Sequence, residues 1–395
     1  MVKFKQLVEK LLEGVIYICG TLSTVIVLFI IYFLFKEGSG IFSKKQIEEG
    51  YSIVVNQHNS VTKIKPSDIK LIFSNDISNW KQIGGNYDSI YTFTLSDVEY
   101  KFTSEQLGEN YEFLNQRIAE YITANTGVIA LFPDKYLDSK LPRVPIDNIT
   151  MTDILAGQDW YPNSTPIPSF GALPILMGSL WVSIGAMILA LPLGLIIAIY
   201  LSEIAGPFTK DLFRTIIELL SGIPSVVYGF FGLVIVVPFL KSLFNLDVGE
   251  TALAGSVILA IISLPTIISL SEDAITSVPG ELKAASLALG ANHWQTISRV
   301  IVPHASSGII SATILGMGRA FGETMAVLMV TGNAAMMPTT FLQPVRTITA
   351  TIAAELGEAP SGGLHYESLF ILGCILFIFT FLLNLVAGFF TVKKI

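Results

Sequence analysis

Charge is scarce in this sequence. Only 14% of its 395 residues are Asp, Glu, Lys or Arg, 52% are hydrophobic, and mean hydropathy is +0.63. That balance excludes a single water-soluble core and points to a polytopic membrane protein. Cysteine and histidine are rarer still. Cys19 and Cys374 fall in separate apolar runs, where they read as small buried hydrophobes rather than a disulfide or metal pair. His58, His293, His304 and His365 have no ligand spacing, and no Ser-His-Asp or H-E-x-x-H arrangement occurs, so neither a metal site nor a hydrolase is expected. Also missing is the G-x-x-x-x-G-K-[ST] loop that cradles nucleotide phosphates, so ATP hydrolysis is expected from a partner chain and no cofactor is expected here. The net charge of -7 arises mostly between positions 37 and 168 and implies no nucleic-acid partner.

What the sequence has in abundance is long apolar runs. They occupy 14–35, 173–201, 216–240, 251–270, 307–330 and 368–390, each near the roughly 20 residues a helix needs to cross hydrocarbon. The first is long and ends in KEGSG rather than at a small-residue cleavage site, so it reads as an uncleaved signal anchor. Six spans put both termini on one side. The positive-inside rule makes that side cytoplasmic: its short segments carry Lys3, Lys5, Lys10, Lys210, Arg214, Lys283, Arg299, Lys393 and Lys394, against Arg346 and Lys241 opposite.

Between the first two runs the composition turns soluble. Pro66 fits the first turn of a helix over 66–73, a longer helix fits 104–124, and SIVV, SIYTFTL and GVIALF read as strands. The expected fold is therefore an all-α polytopic membrane protein of six transmembrane helices with an extracytoplasmic α/β insertion after the first. Its divisions are 1–36, 37–168 and a five-span core over 169–395.

Two features of the core carry chemistry. Arg319 and Glu323 lie inside the fifth apolar run, where a charge costs roughly 2.5 to 3.5 kcal/mol, and four-residue spacing on one helix would align them on one face. Arg319 could donate in bidentate fashion to an oxyanion while Glu323 holds it; a purely structural ion pair is the plainer alternative. Ahead of them, the cytoplasmic loop 272–306 holds a helix from Pro279 to Gly290 and a second from Asn292 to a stop at Pro303, forming an L-shaped ledge. On local pattern alone, an amphipathic loop lying on lipid fits equally well. In the third run Gly222, Pro224 and Ser225 could loosen the helix for gating, or the glycines there could simply allow close packing.

The spacing of Gly290, nine further residues, then Val300, Val302 and Pro303 resembles the cytoplasmic EAA loop of ABC importer permeases. That resemblance implies docking of Ala284, Ala285, Leu287, Leu289, Gly290, His293, Trp294 and Pro303 on an ATPase subunit. The Glu of the family motif falls on Ala284 and its second Ala on Ser286. IELLSGIPSVVYGFFGL, GRAFGETMAV and IAAELGEAPSGGLHYESL resemble the PstC-type permease subunit of phosphate ABC importers. This resemblance implies a type I importer permease in the cell's inner membrane that translocates inorganic phosphate by alternating access. Its implied partners are an ATPase dimer, a PstA-like second permease, an extracytoplasmic phosphate-binding protein and membrane lipid. KLIFSNDISNWKQIGG in the insertion resembles part of such a binding protein, with Asn75 where that pattern has Gly, and implies a docking or covering role. The rival readings are a permease for sulfate, molybdate or tungstate, and a membrane sensory or scaffold protein.

Overall fold

The computed structural model describes residues 2–47, 50–61, 63–86, 89–108, 110–165 and 167–392; Lys393 and Lys394, counted above in the charge bias, lie outside them. The chain divides into two compact units at Gly38/Ser39 and again at Gly171/Ala172. It opens with α1 (Val2–Ser39), whose apolar side chains between Leu12 and Phe35 are largely exposed, as hydrocarbon solvation requires. Cys19 shares that exposure, so it is not a buried hydrophobe within this chain.

The inserted unit is built on a three-stranded sheet in the order β1 (Tyr51–Val55), β3 (Val128–Pro133), β2 (Tyr91–Thr94). β3 lies in the middle, antiparallel to β1 with Tyr51 opposite Pro133, and parallel to β2 with Tyr91 opposite Val128. A central strand is covered on both faces, which is why VIALFP is an apolar run rather than an alternating one. α2 (Pro66–Phe73) forms with Pro66 in its first turn, where the missing N–H has no consequence. The helix expected over 104–124 is instead two, α3 (Ser104–Leu107) and α4 (Leu114–Ala124). Gly108 at φ 83 and Tyr111 at φ 59 turn the chain left-handed between them, and a glycine past a helix end is the cheapest place to do so. α4 then buries Leu114, Ile118 and Ile122, one stripe at i, i+4 and i+8.

The remaining chain is helical. It runs through α5 (Leu173–Ile204), α6 (Pro207–Gly222), α7 (Ser225–Phe244), α8 (Ala252–Thr276), α9 (Gly280–Ala288), α10 (His293–Gly322), α11 (Met325–Val330), α12 (Ile348–Glu355) and α13 (Leu364–Val392). Among the described residues six helices are long and apolar enough to cross a membrane: α1, α5, α7, α8, α10 and α13. Small residues let α5 and α8 approach closely. A Cβ on Gly185 would lie 2.3 Å from Ser256 Oγ, and that hydroxyl donates to the carbonyls of Ala252 at 2.8 Å and Val182 at 3.2 Å. The end of α1 packs on α13 through Phe33 against Phe370, 5.7 Å between centroids, with Cys374 donating to the Leu34 carbonyl.

Three boundaries differ from the sequence reading, each for a backbone reason. The run expected as one helix over 216–240 breaks at Ile223, whose ψ of 128° is the extended conformation a residue before proline prefers. The run expected over 307–330 breaks at Glu323, with ψ 136°. Conversely, Pro303 does not stop the ledge's second helix. A π-turn over Ile297–Ile301 widens the helix just before it, so Pro303 enters at the start of a new α-helical register and the chain continues to Gly322.

Candidate permeation and coupling site

The helices that follow the two breaks pack on each other. α7 packs on α11 through Gly229, where a Cβ would come within 2.9 Å of the Ala326 Cα. At the first break Gly222 ends α6 and is exposed with no atom packed against it, Pro224 supplies the N-cap of α7, and Ser225 opens it. A helix end leaves carbonyls unpaired. Tyr228 Oη donates to the Leu220 carbonyl at 2.7 Å and so meets one of them across the break. Gly222, Pro224 and Ser225 therefore stand at a discontinuity rather than in a tightly packed seam.

Arg319 lies in the last turn of α10, exposed, with Nη1 donating to Thr266 Oγ1 on α8 at 3.0 Å. It does not pair with Glu323. The expected alignment of the two charges required one continuous helix, and α10 ends between them. Glu323 instead turns its Oε1 toward the start of α11, accepting from the backbone N–H of Thr324 at 3.1 Å and, more weakly, of Ala326 at 3.5 Å. Its carbonyl accepts from Thr349 Oγ1 on α12 at 2.6 Å. Among the described residues no carboxylate pairs with Arg319. Thr266 was not singled out in the sequence; a lone polar residue after Pro265 in an apolar span was the available signal.

A second network sits between the fifth and sixth spans. Arg346 Nη1 reaches Glu355 Oε1 at 2.5 Å, Glu355 Oε2 lies 2.9 Å from His365 Nε2, and Arg346 Nε donates to the Asn333 carbonyl at 2.9 Å. All three side chains are mostly buried. This loop cation is thus neutralised by its own chain, in contrast to Arg319. Sequence reading missed it, although an Arg followed by Glu nine residues on in a cation-poor loop was visible.

The ledge is open. α9 has no buried residue, and Leu287, Leu289 and Trp294 are 51%, 89% and 65% exposed. Ala284, Ala285, Gly290, His293 and Pro303 are exposed with them. Gly290 at φ 88 makes the turn, the Asn292 side chain caps the next helix by accepting from Gln295 N at 2.8 Å, and the Ser286 and Thr296 hydroxyls meet at 3.0 Å. Large apolar side chains exposed on a short helix pair mark a surface suited to contact with another protein or with lipid.

Six apolar spans, two of them adjoining broken helices around an exposed arginine, and an uncovered ledge define the membrane subunit of a transporter rather than an enzyme. Residues 190–393 match the family described as binding-protein-dependent transport system inner membrane component, and the chain belongs to that family. It is 37% identical over 273 residues to "Probable ABC transporter permease protein YqgH" of Bacillus subtilis, covering 69% of this chain and 87% of that protein. It is 38% identical over 252 residues to "Phosphate transport system permease protein PstC" of Mesorhizobium japonicum, covering 59% and 76%. A bacterial ABC transporter that imports alginate is similar at 17% identity and a TM-score of 0.43 over 56% of this chain and 80% of that one. The chain is a multi-pass inner-membrane component whose ATP hydrolysis belongs to a separate subunit.

Proposed function

We propose that this chain is the PstC-type permease subunit of an ATP-driven importer of inorganic phosphate, moving the anion by alternating access. The observation that carries this reading is the exposure of Arg319 within a membrane span. A guanidinium facing lipid is costly, so an exposed one belongs on an aqueous path or against a partner subunit. Its planar donors suit a tetrahedral oxyanion, and with no carboxylate among the described residues paired to it the charge stays available. Relatives named as phosphate permeases supply the substrate class.

The remaining assignments follow from this reading. Glu323 serves the pathway by holding the backbone of the break, and Gly222, Pro224 and Ser225 form the other break. Ala284, Ala285, Leu287, Leu289, Gly290, His293, Trp294 and Pro303 form the ATPase contact. A PstA-like second permease covers the exposed faces of the core, and an extracytoplasmic phosphate-binding protein docks on the insertion. Both termini and the ledge are cytoplasmic; chain topology then puts the insertion on the opposite side of the membrane.

Liposomes carrying the chain with its ATPase, second permease and binding protein test the reading. Labelled phosphate should accumulate when ATP is supplied on the ATPase side, and excess sulfate, molybdate or tungstate should not compete. Competition by those anions as strong as by unlabelled phosphate would reassign the substrate.

A further inference from the structure

α9 has no buried side chain, so apolar packing does not fasten it to the membrane core. The Ser286–Thr296 contact joins it only to the other arm of the ledge. Its side-chain link to the second span is ionic: Lys283 Nζ lies 2.5 Å from Glu203 Oε1, with Lys283 28% and Glu203 6% exposed. Glu203 sits in the π-turn Tyr200–Ile204 that ends α5, closed by the Ala205 N–H to the Tyr200 carbonyl at 2.8 Å. A π-turn is wider than an α-turn and is a place where a helix end can shift without unwinding. A carboxylate so nearly buried is expensive to leave without its cation. Displacing α9 therefore moves the end of α5 with it rather than parting the pair.

The same device recurs two spans on. Glu272, 5% exposed near the end of α8, holds Arg214 at 2.7 Å and Lys210 at 3.1 Å, both from α6. Two buried carboxylates near the ends of spans are thus each held by cations from a neighbouring, non-spanning helix.

We propose that the Lys283–Glu203 pair is the strut through which movement of α9 enters the second span, making both positioning residues for coupling ATP hydrolysis to transport. This rests on the reading that the ledge seats on an ATPase. The test compares phosphate moved per ATP hydrolysed in liposomes holding the whole complex. Lys283→Met should still bring down the ATPase and hydrolyse ATP, with phosphate moved per ATP falling about tenfold, within the range typical of allosteric coupling. The double variant Glu203→Gln with Lys283→Met leaves no unpaired buried charge, so it should assemble normally and remain uncoupled. Exchanging the charges, Glu203→Lys with Lys283→Glu, should restore most of the coupling. A neutral double variant that couples like wild type, or an exchange no better than Lys283→Met, overturns the strut. Failure of the underlying reading looks different: the unaltered chain would then retain no ATPase.

Discussion

The hydroxyl of Thr349 donates to the carbonyl oxygen of Glu323 at 2.6 Å, so the break in the fifth span is held by a helix 26 residues further along the chain. A helix break in a membrane protein frees backbone groups that lipid cannot satisfy, so protein groups or a water-lined path must meet them. Here the Glu323 side chain meets the N–H groups that open α11, and Thr349 meets the carbonyl. The discontinuity is built into the fold and is not a frayed end.

Thr349→Val tests that construction. It keeps the volume of the side chain and removes the donor, leaving a carbonyl short of a partner at a cost of about 1 to 3 kcal/mol. The expected result is a lower unfolding temperature in detergent and slower uptake, with Thr349→Ser close to wild type. Equal stability in the valine variant would mean the break is held by packing alone.

Arg319 and Thr266 offer a graded pair. Arg319→Lys keeps the charge and loses the planar fork, and Thr266→Val removes one hydrogen bond to a charged group, worth about 1.5 to 3 kcal/mol. Uptake should fall most in Arg319→Lys and roughly tenfold in Thr266→Val, with both variants assembling fully. Wild-type transport by Arg319→Lys would remove the arginine from the pathway.

The ledge predicts a binding defect without a folding defect. Leu289 and Trp294 project into solvent in this chain, so Leu289→Asp and Trp294→Ala should leave its stability unchanged. Each should weaken retention of the ATPase by about 2 kcal/mol or more if these side chains anchor the interface. Pull-down of the ATPase from detergent, read beside the unfolding temperature, separates the two effects. A loss of both together would count against an interface role.

How far the sequence carried this structure depended on which physical signal each element has. Apolar length marked all six spans, because hydrocarbon thickness fixes it independently of neighbours. Pro66 and the strands around Val54, Phe93 and Ala130 were legible because local propensity and burial agree there. The break at Ile223 was half legible, because Pro224 was visible as a place where the helix could loosen; the break at Glu323 was not, since Thr349, 26 residues away, meets its carbonyl and no local pattern ties the two. Pro303 misled for the converse reason: a π-turn accommodates a proline that local rules treat as a stop. Arg319 was found by being a charge in an apolar run, whereas its partner was misassigned because i+4 spacing presumes a helix that ends at Gly322.

The inserted unit should fold without the membrane core, and the hydrogen bond of Trp80 tests what holds it. Residues 39–171 enclose their own apolar interior, with Ile53, Ile69, Phe93, Ile118 and Phe132 essentially inaccessible. Trp80 is fully buried there, and its Nε1 donates to the Gly127 carbonyl at 2.9 Å, tying the loop after α2 to the start of the central strand. Expressed alone, this segment should unfold cooperatively in urea. Trp80→Phe fills most of the same space but strands the Gly127 carbonyl, at about 1 to 3 kcal/mol. With a slope near 1 to 3 kcal/mol per molar, its midpoint should drop by about 1 M at unchanged slope. Trp160 remains as a second buried tryptophan and changes its share of the signal in that variant, so far-ultraviolet circular dichroism should follow both proteins. A changed slope would show that the denatured or native compactness moved instead, and an unchanged midpoint would show that the hydrogen bond adds nothing to the stability of this unit.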